Sequence, residues 1–94
     1  MAAYLIGHIT VKDAESWGKY VEGVGKSLLP YEAKVVFRGK QEKVLAGLHS
    51  HENAVVLQFP DQKTLQDWYH SKAYQELIPI RDKAADVVII SYDG

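Results

Sequence analysis

The chain carries 94 residues, 47% of them hydrophobic and 24% charged, with 11 basic against 12 acidic side chains and a net charge of −1. That length suits one compact domain, expected over residues 1–94, and the composition suits a folded soluble protein; the near-zero charge excludes the summed field that nucleic acid or an anionic membrane surface requires. With no cysteine, disulfides, thiolate metal sites, iron–sulfur clusters and cysteine nucleophiles are excluded, and a cytoplasmic location is expected.

Taken in chain order, the opening run MAAYLIGHITV lacks a basic leader and is broken by His8 and Thr10. It reads as a strand over residues 3–11 rather than a signal peptide or membrane span. Asp13 is a helix N-cap, because its carboxylate can accept a free backbone N–H. Ala14, Trp17, Tyr20, Val21, Val24 and Leu28 then recur at three- and four-residue steps, which predicts a helix over about 14–28 whose last turns Gly23 and Gly25 weaken. Pro30 bars continuation. Residues 33–48 read as extended, Lys34 to Arg38 and Val44 to Ala46 being separated by a polar stretch, and predict a bent strand or a hairpin.

After the polar turn His49 to Asn53, Ala54 to Phe59 is a strong strand ended by Pro60. Asp61 caps a helix with Leu65, Trp68 and Tyr69 on its apolar side. Ser71 caps a second segment that carries Tyr74, Leu77, Ile78, Arg81 and Ala84 or Ala85 on one face, with Pro79 expected to kink it. Val87 to Ile90 is the final strand. The order β-α-β-β-α-β predicts an α+β fold of the ferredoxin-like type with a four-stranded antiparallel sheet. Leu5, Ile9 and Val11 alternate with Tyr4 and Ile6, and residues 87–90 are all aliphatic, so both faces of the sheet need cover while helices supply only one. A homodimer with two sheets face to face and helices outside is the expected solution.

The pattern Tyr4, Val11-Lys12-Asp13, Tyr20, Arg38-Gly39, Phe59-Pro60, Trp68-Tyr69-His70-Ser71-Lys72-Ala73-Tyr74-Gln75 and Arg81 resembles the family known as domain of unknown function 1330. The resemblance spans nearly the whole chain and is most specific in the tryptophan-tyrosine-x-serine-x-x-tyrosine run. It implies a dimeric α+β barrel and no established reaction. Members typically carry paired glycines where this chain has Glu32-Ala33, a further glycine at Lys40, an acidic residue at Ala46 and a tryptophan at Leu48.

Several side chains invite chemistry. Ser71 starts a helix segment whose free N–H groups favour an anion, and Arg81 offers a bidentate fork for carboxylate or phosphate, so Tyr69, Ser71, Tyr74 and Arg81 could hold a small acid. The alternative is that Ser71 only caps, the rings only pack, and Arg81 pairs with Asp82, Asp86 or an acid of a partner subunit. His8, on one strand face with Tyr4, Ile6 and Thr10, is either a general acid or base aimed at the helix-covered cleft or a core or interface histidine. His49 and His51, two apart, project to one side as metal ligands do, but two ligands are not a site and no metal is expected. Arg38, on the pleat face opposite Phe37, reaches either the cleft or the dimer seam. Trp17, Tyr20 and Trp68 read as core, and His70 as surface.

No glycine-rich phosphate loop, dinucleotide fingerprint, serine elbow or helical zinc motif occurs, so no cofactor is expected. RNA-recognition modules of this fold need stacked aromatics on the third strand, which holds one ring, Phe59. The leading expectation is a homodimer that binds a small anionic or polar aromatic metabolite, with Arg81, Tyr69, Ser71, Tyr74 and Arg38 around it. A cofactor-independent monooxygenase or isomerase using His8 or Tyr69, and a structural or regulatory dimerisation module, are the alternatives.

Overall fold

The apolar N-terminal run forms strand β1 (Ala3–Val11), and the whole fold is arranged around it. The computed structural model describes residues 1–94. After β1 come helix α1 (Ala14–Leu28), a 3-10 turn at Leu29–Tyr31, strands β2 (Lys34–Lys40) and β3 (Asn53–Phe59), helices α2 (Gln62–Tyr69), α3 (Lys72–Gln75) and α4 (Ile78–Ala84), and strand β4 (Ala85–Asp93). The strands form one antiparallel sheet in the order β2-β3-β1-β4, the ferredoxin-like α+β arrangement.

Strand alternation decides what faces what. Ala3, Leu5, Gly7 and Ile9 are buried, whereas Tyr4, Ile6, His8 and Thr10 between them are half-exposed. The odd residues therefore point under the helices, together with Leu57 and Phe59 of β3, their register partners. Ala3, Leu5, Leu57 and Phe59 join Tyr20, Leu65, Trp68 and Tyr74 in one core. The even residues form an open face with Ala54 and Val56 of β3, Val88, Ile90 and Tyr92 of β4, and Phe37 of β2. No helix covers this face, and only its end at His8 and Thr10 meets another segment, at His49 and His51; Phe37 is 54% exposed, Val88 45% and Ile90 39%.

Local signals set most boundaries. Asp13 accepts from the Ser16 backbone N–H and side-chain hydroxyl at 3.4 and 2.9 Å, and Asp61 accepts from the Thr64 backbone N–H and hydroxyl, both at 2.7 Å. Both act as N-caps that satisfy free donors of the first helical turn. Ser71 restarts the chain as the cap of α3. Gly23 does more than weaken α1: a Cβ there would lie 2.6 Å from a methyl of Leu77, so the missing side chain lets the α3–α4 connection approach the helix.

Two expectations are corrected. Pro79 does not kink a continuous helix; α3 ends at Gln75, and Pro79 stands in the first turn of α4, where its missing N–H goes unused. Val44 to Ala46 form no strand. Residues 41–52 connect β2 to β3 without regular structure, turning at Gly47 with φ +83° and leaving Leu45 and Leu48 fully in solvent. A β-strand needs a hydrogen-bonding neighbour, and Val44 to Ala46 have none.

Glu32 closes the 3-10 turn in the left-handed region at φ 53°, ψ 30°. Glycine is the residue such a position favours, since a Cβ there costs about 1–2 kcal/mol that the greater entropy of unfolded glycine only partly offsets. Glu32→Gly is expected to raise stability by roughly 0.5–1 kcal/mol in urea unfolding; an unchanged or lower midpoint would refute the strain.

Candidate functional site

Helix α1 crosses the buried side of the sheet without filling it. Between them lies a cavity of about 350 Å³, within the range of roughly 300–1,000 Å³ usual for small-molecule sites. Leu5, Gly7 and Ile9 form part of its floor, Trp17, Val21 and Val24 its α1 wall, and Tyr20, Trp68 and Tyr74 close the side toward α2 and α3. Gly7 contributes depth, because a Cβ there would come within 3.1 Å of Val55.

The cavity is apolar except at a few places. Arg38 is the one charged residue lining it, with Asn53 as a further polar neighbour. Opposite Val55 in the sheet register, Arg38 projects to the helix-covered side, while Phe37 projects to the open face beside Val56. The choice left open by the sequence is thereby resolved toward the cleft. The Arg38 guanidinium forms no ion pair within the chain; every salt bridge of the fold belongs to another cation.

Behind this wall runs an aromatic cluster tied by hydrogen bonds. Because α2 stops at Tyr69 and Ser71 restarts the chain, Trp68, Tyr69 and Tyr74 converge, with Trp68 and Tyr69 ring centroids 4.5 and 4.8 Å from Tyr74. Arg81, its side chain 13% exposed, donates through Nη1 to the hydroxyls of Tyr69 at 3.2 Å and Tyr74 at 3.1 Å, and through Nε to Asp82 at 3.0 Å. Tyr74 in turn shares a 2.9 Å hydroxyl–hydroxyl bond with Tyr20. Burial works against the Arg81 charge, but the hydrogen bonds with Tyr69 and Tyr74 outweigh it and raise its pKa. Burial, reinforced by Tyr74, pushes the Tyr20 phenol above its ordinary value, so it keeps its proton. Trp68 Nε1 donates to Ser27 Oγ at 2.9 Å, and Ser27 donates to the Val24 carbonyl at 2.8 Å.

The expected site residues thus divide into two groups. Tyr74 and Arg38 line the cavity; Arg81, Tyr69 and Ser71 do not. Ser71 Oγ accepts from the Tyr74 N–H at 3.2 Å and donates to the Trp68 carbonyl at 2.6 Å, so its side chain is committed to the cap. His8 shares a face with Tyr4, Ile6 and Thr10, as read from the sequence; of its two alternatives the strand alternation favours the one away from the cleft, since even-numbered β1 residues face away from the helices and His8 stands on the open face. There its ring lies 4.8 Å from His49, which is 5.8 Å from His51. No three histidine, aspartate or glutamate side chains are grouped so as to hold a metal ion.

Tyr20 and Ser27 are the residues that sequence reasoning undervalued. Tyr20 was legible as part of the α1 stripe, but its hydroxyl partner is 54 residues away. Ser27 falls seven residues after Tyr20 on the same helix side, and a polar residue at that spacing signals a buried partner.

Arg81 also generates a stability difference that can be measured. Arg81→Met, which keeps much of the stem but strands the Tyr69 hydroxyl and leaves that of Tyr74 with Tyr20 alone, is expected to cost about 1.5–3 kcal/mol in urea unfolding. Asp82→Asn, which alters only the exposed arm, should cost less than about 1 kcal/mol. Equal effects would mean that the tyrosine contacts contribute nothing.

Comparison with known proteins places this architecture. A family model described as a domain of unknown function (DUF1330) matches residues 2–94. No curated protein matches the chain. A protein of unknown function from Rhodopseudomonas palustris superposes with a TM-score of 0.84 at 17% identity, covering 99% of this chain and 82% of that one. A dimeric ferredoxin-like protein of unknown function from Jannaschia sp. CCS1 gives 0.69 at 9% identity, with 100% of both chains covered. SnoaB from Streptomyces nogalater, a cofactor-independent oxygenase, gives 0.69 at 6% identity over 99% of this chain and 92% of that one. Identities this low establish a shared fold.

Proposed function

The chain belongs to the DUF1330 family, and from that premise we propose that it is a homodimer in which each subunit binds one small, mainly apolar molecule bearing an anionic group. The observation that carries the ligand reading is an apolar cavity of about 350 Å³ with a single cation, unpaired, on its lining. An apolar body would replace water against Leu5, Ile9, Trp17 and Val24, while its carboxylate or phenolate would meet the Arg38 fork. Arg81, Tyr69 and Ser71 act one layer back in this reading. They fix the Tyr74 ring and, through its hydroxyl, Tyr20, both of which touch the cavity.

The dimer reading rests on the uncovered face of the sheet. Ile6, Phe37, Val56, Val88, Ile90 and Tyr92 share one side of the sheet and have no cover within the chain. An apolar surface of this kind is relieved by a second copy of itself, sheet against sheet. The neighbours described as dimeric share this fold and lend the reading support. His8 and Tyr69, the acid–base candidates, both stand off the cavity lining, which weighs for binding over catalysis at those residues.

A thermal-shift screen of small aromatic and aliphatic acids should find stabilising ligands, and Arg38→Ala should weaken them at least about tenfold, the loss of one charge-assisted contact. Hits that bind Arg38→Ala and the unaltered protein equally would remove the anionic part of the proposal. Sedimentation should show a dimer at micromolar concentration that Ile90→Asp, a charge set in the proposed seam, converts to a folded monomer. A monomer before substitution would sink the seam.

A further inference from the structure

Three imidazoles meet at one end of the open face. His8 contacts His49 edge-on at 4.8 Å, His49 lies 5.8 Å from His51, and His51 Nδ1 shares a 3.0 Å hydrogen bond with Thr10 Oγ1. Along its own strand His8 has Ile6 and Thr10 as same-face neighbours, and across the sheet Ala54 of β3 and Val88 of β4. These are mostly the residues of the apolar seam. The Nδ1 atom of His8 is buried and has no hydrogen-bond partner.

The charged groups around the cluster offer no counter-ion surplus. Lys40, Lys43 and Glu52 line the same recess of about 380 Å³ as the three histidines. Neither lysine is engaged in an ion pair. Asp86, the register partner of Thr10 on β4, is already bound to Lys12 at 3.3 Å. Two cations therefore stand against one free carboxylate before any imidazole is charged. Burial, and then the neighbouring His49 and His51, hold the His8 pKa below its ordinary value.

We propose that this histidine cluster makes the sheet-to-sheet dimer proton-linked, so that neutral imidazoles permit the seam at and above neutral pH and their protonation on acidification separates the two subunits. The inference rests on the dimer proposed above and adds to it a response to pH. Two-fold symmetry brings a second copy of the cluster to the same interface, so each subunit contributes its own protons to the linkage. Closing the seam over an imidazolium would remove water from a charge whose one free acid in the recess, Glu52, is already outnumbered by Lys40 and Lys43. The sign follows: burial in the seam would take the His8 pKa further below its ordinary value than it stands in the single subunit. Association is thus complete above imidazole's ordinary value of about 6.5 and is lost as pH falls through the lower value in the dimer.

The test is sedimentation equilibrium of the full chain at about pH 7.5 and about pH 5.5, on either side of imidazole's ordinary value, with circular dichroism at both. The expected result is a dissociation constant at least about tenfold higher at the acid pH, with the fold retained; one proton linked over one pH unit gives about that factor. His8→Phe removes the central base, and His49→Gln removes an exposed neighbour that the fold does not need; each should shrink the ratio. The same dissociation constant at both pH values, an undiminished ratio in both variants, or unfolding that precedes dissociation would overturn the proton linkage. A monomer at the higher pH would instead overturn the dimer itself.

Discussion

A pleated strand can turn only every second side chain to a given side, and β1 is apolar on both. It is an inner strand of the sheet, hydrogen-bonded to β3 on one edge and β4 on the other, so its alternation is imposed on its neighbours through their register. Leu5 and Ile9 draw the helices onto one face. Ile6, with Val56 and Ile90 beside it, leaves a second apolar patch on the other, with His8 and Thr10 at its end. The core, the cavity and the uncovered face all descend from this single constraint.

The cavity exists because the helical layer is held at its far end and not over its middle. Tyr20, Trp68 and Tyr74 are locked by the Arg81 and Ser27 hydrogen bonds, while the α1 wall beside them meets a floor thinned by Gly7. Buried hydroxyls and a buried indole N–H need partners, and once they have them the rings cannot collapse inward to fill the gap. The polar cluster therefore acts as a spacer. It keeps the cavity open although Arg81 is not part of its lining.

The two sides of the sheet also divide the chemistry. Arg38 and Phe37, adjacent in sequence, are sent to opposite faces, one to the cavity and one to the uncovered face of the sheet. His8 goes with Phe37. A group that the sequence alone could assign to acid–base work in the cleft is thereby placed on the uncovered face of the sheet, beside His49. Tyr20, which reads in sequence as core packing, becomes a protonated phenol on the cavity wall.

Signals of short range were legible without coordinates. The Asp13, Asp61 and Ser71 caps, the extents of β1 and α1, the βαββαβ order and the two-sided apolar sheet all follow from residues within a turn or a strand of one another, because propensity, capping and periodicity act over those distances. Where a partner strand or a new helix start was needed, as at Val44 to Ala46 and Pro79, local pattern was insufficient. Which face His8 occupied, whether Arg38 entered the cleft, that Arg81 would be held by Tyr69 and Tyr74, and that Tyr20 would find Tyr74 54 residues away were decided only by the tertiary structure. Strand register and helix packing set those contacts, and both are properties of the assembled chain, not of any segment within it.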